Sequence, residues 1–164
     1  MSPHPEGGLP VKRSVALVIR DPSDPTRILT VQRPPDDEDL PLTWGLPAGS
    51  LRPGESWEDA VERSAREKLG LRVQAGVVLN QGTQERPGYR LEMRLYAATL
   101  LGEPIYSEEP GAGADEAMPA GAPRLDGPTN RGTRYVAWRW DRRDALLPAA
   151  ARGSLCSRLL LETL

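Results

Sequence analysis

Residues 49–71 read GSLRPGESWEDAVERSAREKLGL, and the second half of this stretch is patterned as a helix over Ser56–Leu69. Trp57, Val61, Ala65 and Leu69 recur every fourth residue, which aligns them as one apolar stripe. Ser56 followed by Asp59 has the spacing of a capping box, and Gly70 suits the left-handed residue that ends a helix. Glu58, Asp59 and Glu62 crowd the N-terminal half, where the helix dipole favours negative charge. Glu62 and Arg66 stand at i, i+4, a spacing that supports a weak, solvated ion pair.

Working outward, Ser14–Arg20 (SVALVIR) reads as a buried strand and Ile28–Arg33 (ILTVQR) as its hairpin partner across the turn-rich DPSDPT. The polar PPDDEDLP loop leads into Leu42–Gly49. Beyond the helix, strands are expected near Leu71–Leu79 and Arg90–Leu101, joined through GTQERPG. Residues 102–132 are rich in Gly, Pro, Ala and acids with little periodicity, which predicts an irregular excursion. Arg134–Trp140 alternates as a strand, with Val136, Trp138 and Trp140 on one face. A final helix is expected within Ser154–Leu164, carrying Leu155, Leu159 and Leu160. The expectation is a single domain over residues 14–164, of mixed α/β class with mainly antiparallel strands and two helices, preceded by an unstructured start over residues 1–13.

Composition narrows the chemistry. The 164 residues fit one domain, with 38% hydrophobic and 27% charged residues and a mean hydropathy of −0.48. A formal net charge of −2 provides no basic field, so nonspecific nucleic-acid binding is disfavoured. No apolar run reaches membrane-spanning length and the first residues lack a signal-peptide layout, so a cytoplasmic protein without membrane partners is expected. Cys156 is the single cysteine, set among leucines as a packed thiol would be, and His4 is the single histidine. Because His4 falls in a Pro/Gly-rich start expected to fray, a Ser-His-Asp triad is excluded as a reading and a His/Cys zinc site is strongly disfavoured. Acid–base or metal chemistry must rest on carboxylates, lysine, tyrosine or backbone atoms. Arginine outnumbers lysine 19 to 2, which makes the position of Lys68 conspicuous.

The quoted stretch resembles the Nudix box: Gly, five residues, Glu, seven residues, then Arg-Glu-U-x-Glu-Glu-x-Gly-U, with U a bulky aliphatic. Gly49, Glu55, Arg63, Glu67, Gly70 and Leu71 match at the right spacing, and Ala65 is a small U. Ser64 and Lys68 stand where the family has Glu. The lead-in TWGLPAGSLRPGE and the later RYVAWRWDRRDALLP are also similar, so the resemblance runs from about Ser14 to the C-terminus. It implies an α/β/α sandwich around a mixed sheet. It also implies cleavage of a diphosphate linked to a nucleoside or similar group, with magnesium or manganese. Carried over residue by residue, it makes Glu67, Arg63 and Glu55 the catalytic set, the latter two as an ion pair orienting loop and helix. The metal ligands it implies are Glu67, the Ala48 carbonyl and, weakly, the Ser64 hydroxyl.

The departures matter physically. A pyrophosphate needs cations to neutralise it against attack, and a helix can present oxygen ligands at i, i+3 and i+4, the spacing of positions 64, 67 and 68. Ser64 offers a neutral oxygen, and protonated Lys68 offers no ligand at all. Two carboxylates lost and one positive charge gained shift the local charge by about three units. Magnesium or manganese binding is thus expected to be weakened, with Glu62, Glu108, Glu109, Asp115 and Glu116 as substitute ligands to consider. Lys68 reads either as drift or as an ammonium that binds a substrate phosphate, and Trp44 and Tyr89 as base-stacking or packing residues. The leading reading is a hydrolase with an altered metal site acting on a small nucleotide derivative. The alternative is a non-catalytic module that binds a nucleotide or phosphorylated ligand; a protein-interaction role is weaker, and a homodimer is a candidate assembly.

Overall fold

The computed structural model describes residues 9–37, 39–101, 123, 125 and 135–163. In chain order it contains β1 (Val11–Asp21), β2 (Asp24–Gln32), β3 (Trp44–Gly45), β4 (Ala48–Ser50), α1 (Trp57–Leu69), β5 (Val73–Arg86), β6 (Tyr89–Leu100) and β7 (Ala137–Asp141). A 3-10 turn (Arg143–Leu146), α2 (Leu147–Ala151) and α3 (Leu155–Leu161) follow. Among these residues no helix is long and apolar enough to cross a membrane.

β1 organises the sheet. It runs parallel to β6 from Val11↔Arg90 to Ile19↔Ala98 and antiparallel to β4 at Ala16↔Ala48, and its far end passes to β2. β5 extends the sheet beyond β6, while β3 and β7 both pair with β2. Alternate β1 side chains serve opposite layers: Val15, Leu17 and Ile19 pack beneath α1, and Ala16 and Val18 pack toward α3. Both faces are covered, which is why β1 reads as a continuous apolar run rather than an alternating one. Each fully buried Val, Leu or Ile contributes roughly 1.5–3 kcal/mol. The mixed α/β/α expectation holds.

α1 follows from its own sequence. The Ser56 hydroxyl accepts the Asp59 N–H, and Gly70 closes the helix at φ 66° with its N–H on the Arg66 carbonyl. Val61, Ala65 and Leu69 are fully buried, whereas Trp57 is half-buried with the Arg94 guanidinium 4.2 Å from its ring centre.

Four expectations need correction. β1 begins at Val11, three residues before Ser14, because Arg90–Glu92 supply backbone partners for Val11–Arg13. GTQER is strand, not loop: β5 and β6 pair as far as Arg86↔Tyr89, and only Pro87 and Gly88 (φ 87°) form the turn. Gly82 suggested a turn, yet its lack of a side chain serves packing, since a Cβ there would lie 3.0 Å from Leu159 Cδ2. The C-terminal region holds two helices rather than one, α2 starting with Pro148 in its first turn. Val136 precedes β7 and is exposed, while Trp138 and Trp140 pack on the α1-side core. Cys156 is buried, as its leucine neighbours suggested. His4, nearly all of the 102–132 stretch, and with it Glu108, Glu109, Asp115 and Glu116, lie outside the described residues.

Candidate functional site

The pairing of β4 with β1 sets the Ala48 and Ser50 carbonyls at the edge of α1, and the chain returns through Leu51–Ser56. Arg63 ties this loop to the helix. Its Nε donates to Glu55 Oε2 at 2.7 Å and its Nη2 to Glu55 Oε1 at 2.9 Å, a two-point guanidinium–carboxylate pair. Nη2 also donates to the Ser50 carbonyl at 2.7 Å, and Nη1 to Glu67 Oε1 at 3.2 Å. Glu55 in turn accepts the Arg52 N–H at 2.9 Å. The side chains of Arg63 and Glu55 are only 11% and 13% exposed, so solvent screens the pair weakly.

The Arg63 hydrogen bonds hold the Glu55 carboxyl below the ordinary glutamate value of 4.5, against the upward push of its burial. A carboxylate lowered on folding stabilises the fold above its unfolded pKa, and that contribution is lost as pH falls through the folded value. The urea midpoint should therefore decline below about pH 4.5, and Glu55→Gln should make that decline shallower. Asp24, held low chiefly by the Thr26 hydroxyl, adds to the acid sensitivity and keeps the variant from being flat. Superimposable pH profiles for wild type and Glu55→Gln would contradict this account.

The next cluster joins Ala48, Lys68 and Tyr135. Lys68 Nζ donates to the Ala48 carbonyl at 2.7 Å and lies 5.8 Å from the centre of the Tyr135 ring. The buried Tyr135 hydroxyl pins the same residue's backbone, accepting the Ala48 N–H at 3.1 Å and donating to its carbonyl at 3.3 Å. Ser64 is 2% exposed, and its hydroxyl is packed against Gly49 with no hydrogen-bond partner among the described residues.

Of the remaining candidates, Glu67 belongs to this cluster and the others lie elsewhere in the fold. Glu67 is held by Arg52 Nη2 at 3.0 and 3.1 Å as well as by Arg63. Glu62 faces β5, accepting the Ala75 N–H at 3.1 Å where the β5–β6 register shifts. Trp44 lies on β3 with the Arg139 guanidinium 4.0 Å from its ring centre. Tyr89 sits at the start of β6, six residues along the strand from Leu95, the partner of Ala16 beside Ala48. That is about 20 Å away, so Tyr89 is not beside the Ala48 loop. Glu55, Arg63, Glu67, Ser64, Lys68 and Ala48 do converge. Arg52 and Tyr135 join them although sequence reasoning passed over both. Arg52 lies in the box loop itself, three residues before Glu55, whereas Tyr135 looked like one more residue at the edge of a strand.

Among the described residues, the donor set does not fit a resident divalent cation. The carbonyl that would face the ion already carries an ammonium, Glu67 is engaged by two guanidinium groups and Glu55 by one of them. Among the described residues no group of three or more His, Cys, Asp or Glu side chains is arranged to hold a metal. A unit charge about 4 Å from the ammonium would be repelled by about 4 kcal/mol at an effective dielectric near 20, and a dication by twice that. Mn²⁺ titrated calorimetrically should bind no tighter than about millimolar, equivalent to roughly 4 kcal/mol. Micromolar binding that disappears in Glu67→Ala would refute this.

Comparison with known proteins gives a consistent picture. A family model described as NUDIX domain matches residues 10–153. A protein of Bacillus subtilis (strain 168), provisionally named 8-oxo-dGTP diphosphatase, is 36% identical over 76 residues. That match spans 46% of this chain and 46% of the relative, under half the length of either. Among solved structures, the E. coli ORF135 protein is similar with a TM-score of 0.62 at 20% identity, covering 97% of this chain and 94% of that one. A NUDIX hydrolase from Nitrosomonas europaea gives 0.62 at 19% identity over 92% and 86% of the two chains. The MutT protein from Methanosarcina mazei Go1 gives 0.61 at 17% identity over 88% and 90%. At such identities these structures share the fold.

Proposed function

The chain belongs to the Nudix hydrolase family, and we propose that within it this protein recognises a small nucleoside diphosphate derivative, with metal-dependent cleavage strongly weakened. The observation that carries this reading is the Lys68 ammonium 2.7 Å from the Ala48 carbonyl, at the helix position where the family has a carboxylate. A face that has exchanged carboxylates for an ammonium attracts phosphate better than it attracts Mg²⁺. The scaffold around it is kept: Gly49 allows loop and helix to approach, and Arg63 with Glu55 fixes them together. Such a domain would work in the cytoplasm, where nucleotides are abundant.

A second reading, residual hydrolysis, is favoured by Glu67, which still stands on the same face with Arg63 and Arg52 around it. One panel separates the two: nucleoside triphosphates including 8-oxo-dGTP, nucleotide sugars, dinucleotides and ADP-ribose, each assayed for thermal stabilisation in EDTA and for turnover with Mg²⁺ or Mn²⁺. At least one compound should raise the melting temperature while turnover stays slow. Rapid metal-dependent turnover abolished by Glu67→Ala would establish the hydrolase instead. A panel with neither stabilisation nor turnover would remove both readings.

A further inference from the structure

We infer that Lys68 is the resident cation of this site and binds the ligand's phosphate directly, without a divalent ion. The inference rests on the proposed binding of a diphosphate-bearing ligand and specifies how that ligand is held. Its basis is local geometry. The ammonium is fixed on the Ala48 carbonyl at 2.7 Å, and that carbonyl is itself fixed by the Tyr135 hydroxyl. The Tyr135 ring, 5.8 Å from Nζ, adds an electron-rich face that favours a cation there. The charge is thus held by the fold rather than carried on a loose surface side chain. An ammonium has three donors, and the Ala48 carbonyl takes one, so the same group can also serve phosphate oxygens.

The neighbouring charges point the same way. Glu67, one residue before Lys68 on α1, is engaged by Arg52 and Arg63, and Glu55 by Arg63. Three cations therefore stand against two carboxylates on this face, so an incoming anion meets a net attraction. Arg52 is about half exposed and flanks the approach to Glu67. In a chain with 19 arginines and 2 lysines, the compact ammonium stands at the one box position that opposes the loop carbonyl.

The presence of only two lysines also supplies a direct probe. With the side-chain nitrogens labelled with ¹⁵N, the ammonium signals of Lys12 and Lys68 can be told apart with a Lys12→Arg variant. Inorganic pyrophosphate added in EDTA should move the Lys68 signal and leave that of Lys12 in place. Calorimetry should show pyrophosphate binding in EDTA, weakened tenfold or more in Lys68→Met and changed less than threefold by Mg²⁺ in wild type. An unmoved Lys68 signal, wild-type affinity in a folded Lys68→Met, or binding that appears only with Mg²⁺ would each overturn the inference. If pyrophosphate moves Lys68 but no nucleotide on the panel binds, the nucleotide reading falls and the Lys68 assignment stands. If nucleotides bind while the Lys68 signal stays still, the reverse holds.

Discussion

Arg63→Ala should lower stability by about 3 kcal/mol, read as a shifted urea midpoint with an unchanged slope. The residue makes four hydrogen bonds: two to Glu55, one to Glu67 and one to the Ser50 carbonyl. An exposed ion pair contributes about 0–1 kcal/mol, and removing one partner of a fully buried pair costs about 3–5 kcal/mol. With side chains 11% and 13% exposed and two-point geometry, this pair lies toward the buried end. Part of the cost is the Glu55 carboxylate left half-desolvated after the guanidinium is gone. Adding Glu55→Ala to Arg63→Ala should therefore cost much less than Glu55→Ala alone, a coupling of about 2 kcal/mol in a double-mutant cycle. Strictly additive single effects would show that the pair is ornamental and that Arg63 acts through Ser50 and Glu67. Arg63→Lys should recover little, because an ammonium cannot match both Glu55 oxygens and the Ser50 carbonyl at once.

Much of this scaffold was readable from local sequence, and the reasons are specific. The period-four stripe, the Ser56 cap and Gly70 are all short-range signals, so α1 was visible to within one residue. The hairpin of β1 and β2 was equally local, its turn at Pro22 and Ser23 lying within DPSDPT. What escaped depends on contacts between distant segments. Gly82 looked like punctuation because nothing nearby in sequence reveals that Leu159, 77 positions on, packs over it. Glu62 reads locally as a partner for Arg66 or a substitute metal ligand, and nothing nearby in sequence shows that the register shift in β5 leaves the Ala75 N–H for it to satisfy. For the site, residue types and spacing exposed the losses at positions 64 and 68. They did not reveal that Lys68 reaches back 20 positions to the Ala48 carbonyl, since that depends on the β1–β4 register and the rotation of α1 together. Tyr135 was hidden for the same reason: its hydroxyl acts 87 positions away in sequence.

Gly49→Ala should lower stability by about 3 kcal/mol, at the upper end of what overpacking usually costs. A Cβ on residue 49 would lie 2.1 Å from Ser64 Oγ, far inside contact distance, and 3.0 Å from Ser64 Cβ, tighter than ordinary contact. Ser64 has little room to retreat, being 2% exposed on a helix anchored by fully buried Val61, Ala65 and Leu69. Unless the serine can rotate away, the loop must move instead. That loop carries the Ala48 carbonyl beneath Lys68 and the Ser50 carbonyl beneath Arg63, so stability and site geometry should fail together. At roughly 2–4 °C per kcal/mol for a domain of this size, the melting temperature should fall by about 6–12 °C. Ser64→Gly removes both clashing atoms and should restore most of the loss, less about 1 kcal/mol for a glycine inside a helix. Ser64→Ala should restore only part, because its Cβ remains 3.0 Å from the new methyl. Should Gly49→Ala melt like wild type, or Ser64→Gly bring no relief, the close approach of loop and helix would not be the constraint that keeps glycine at this position.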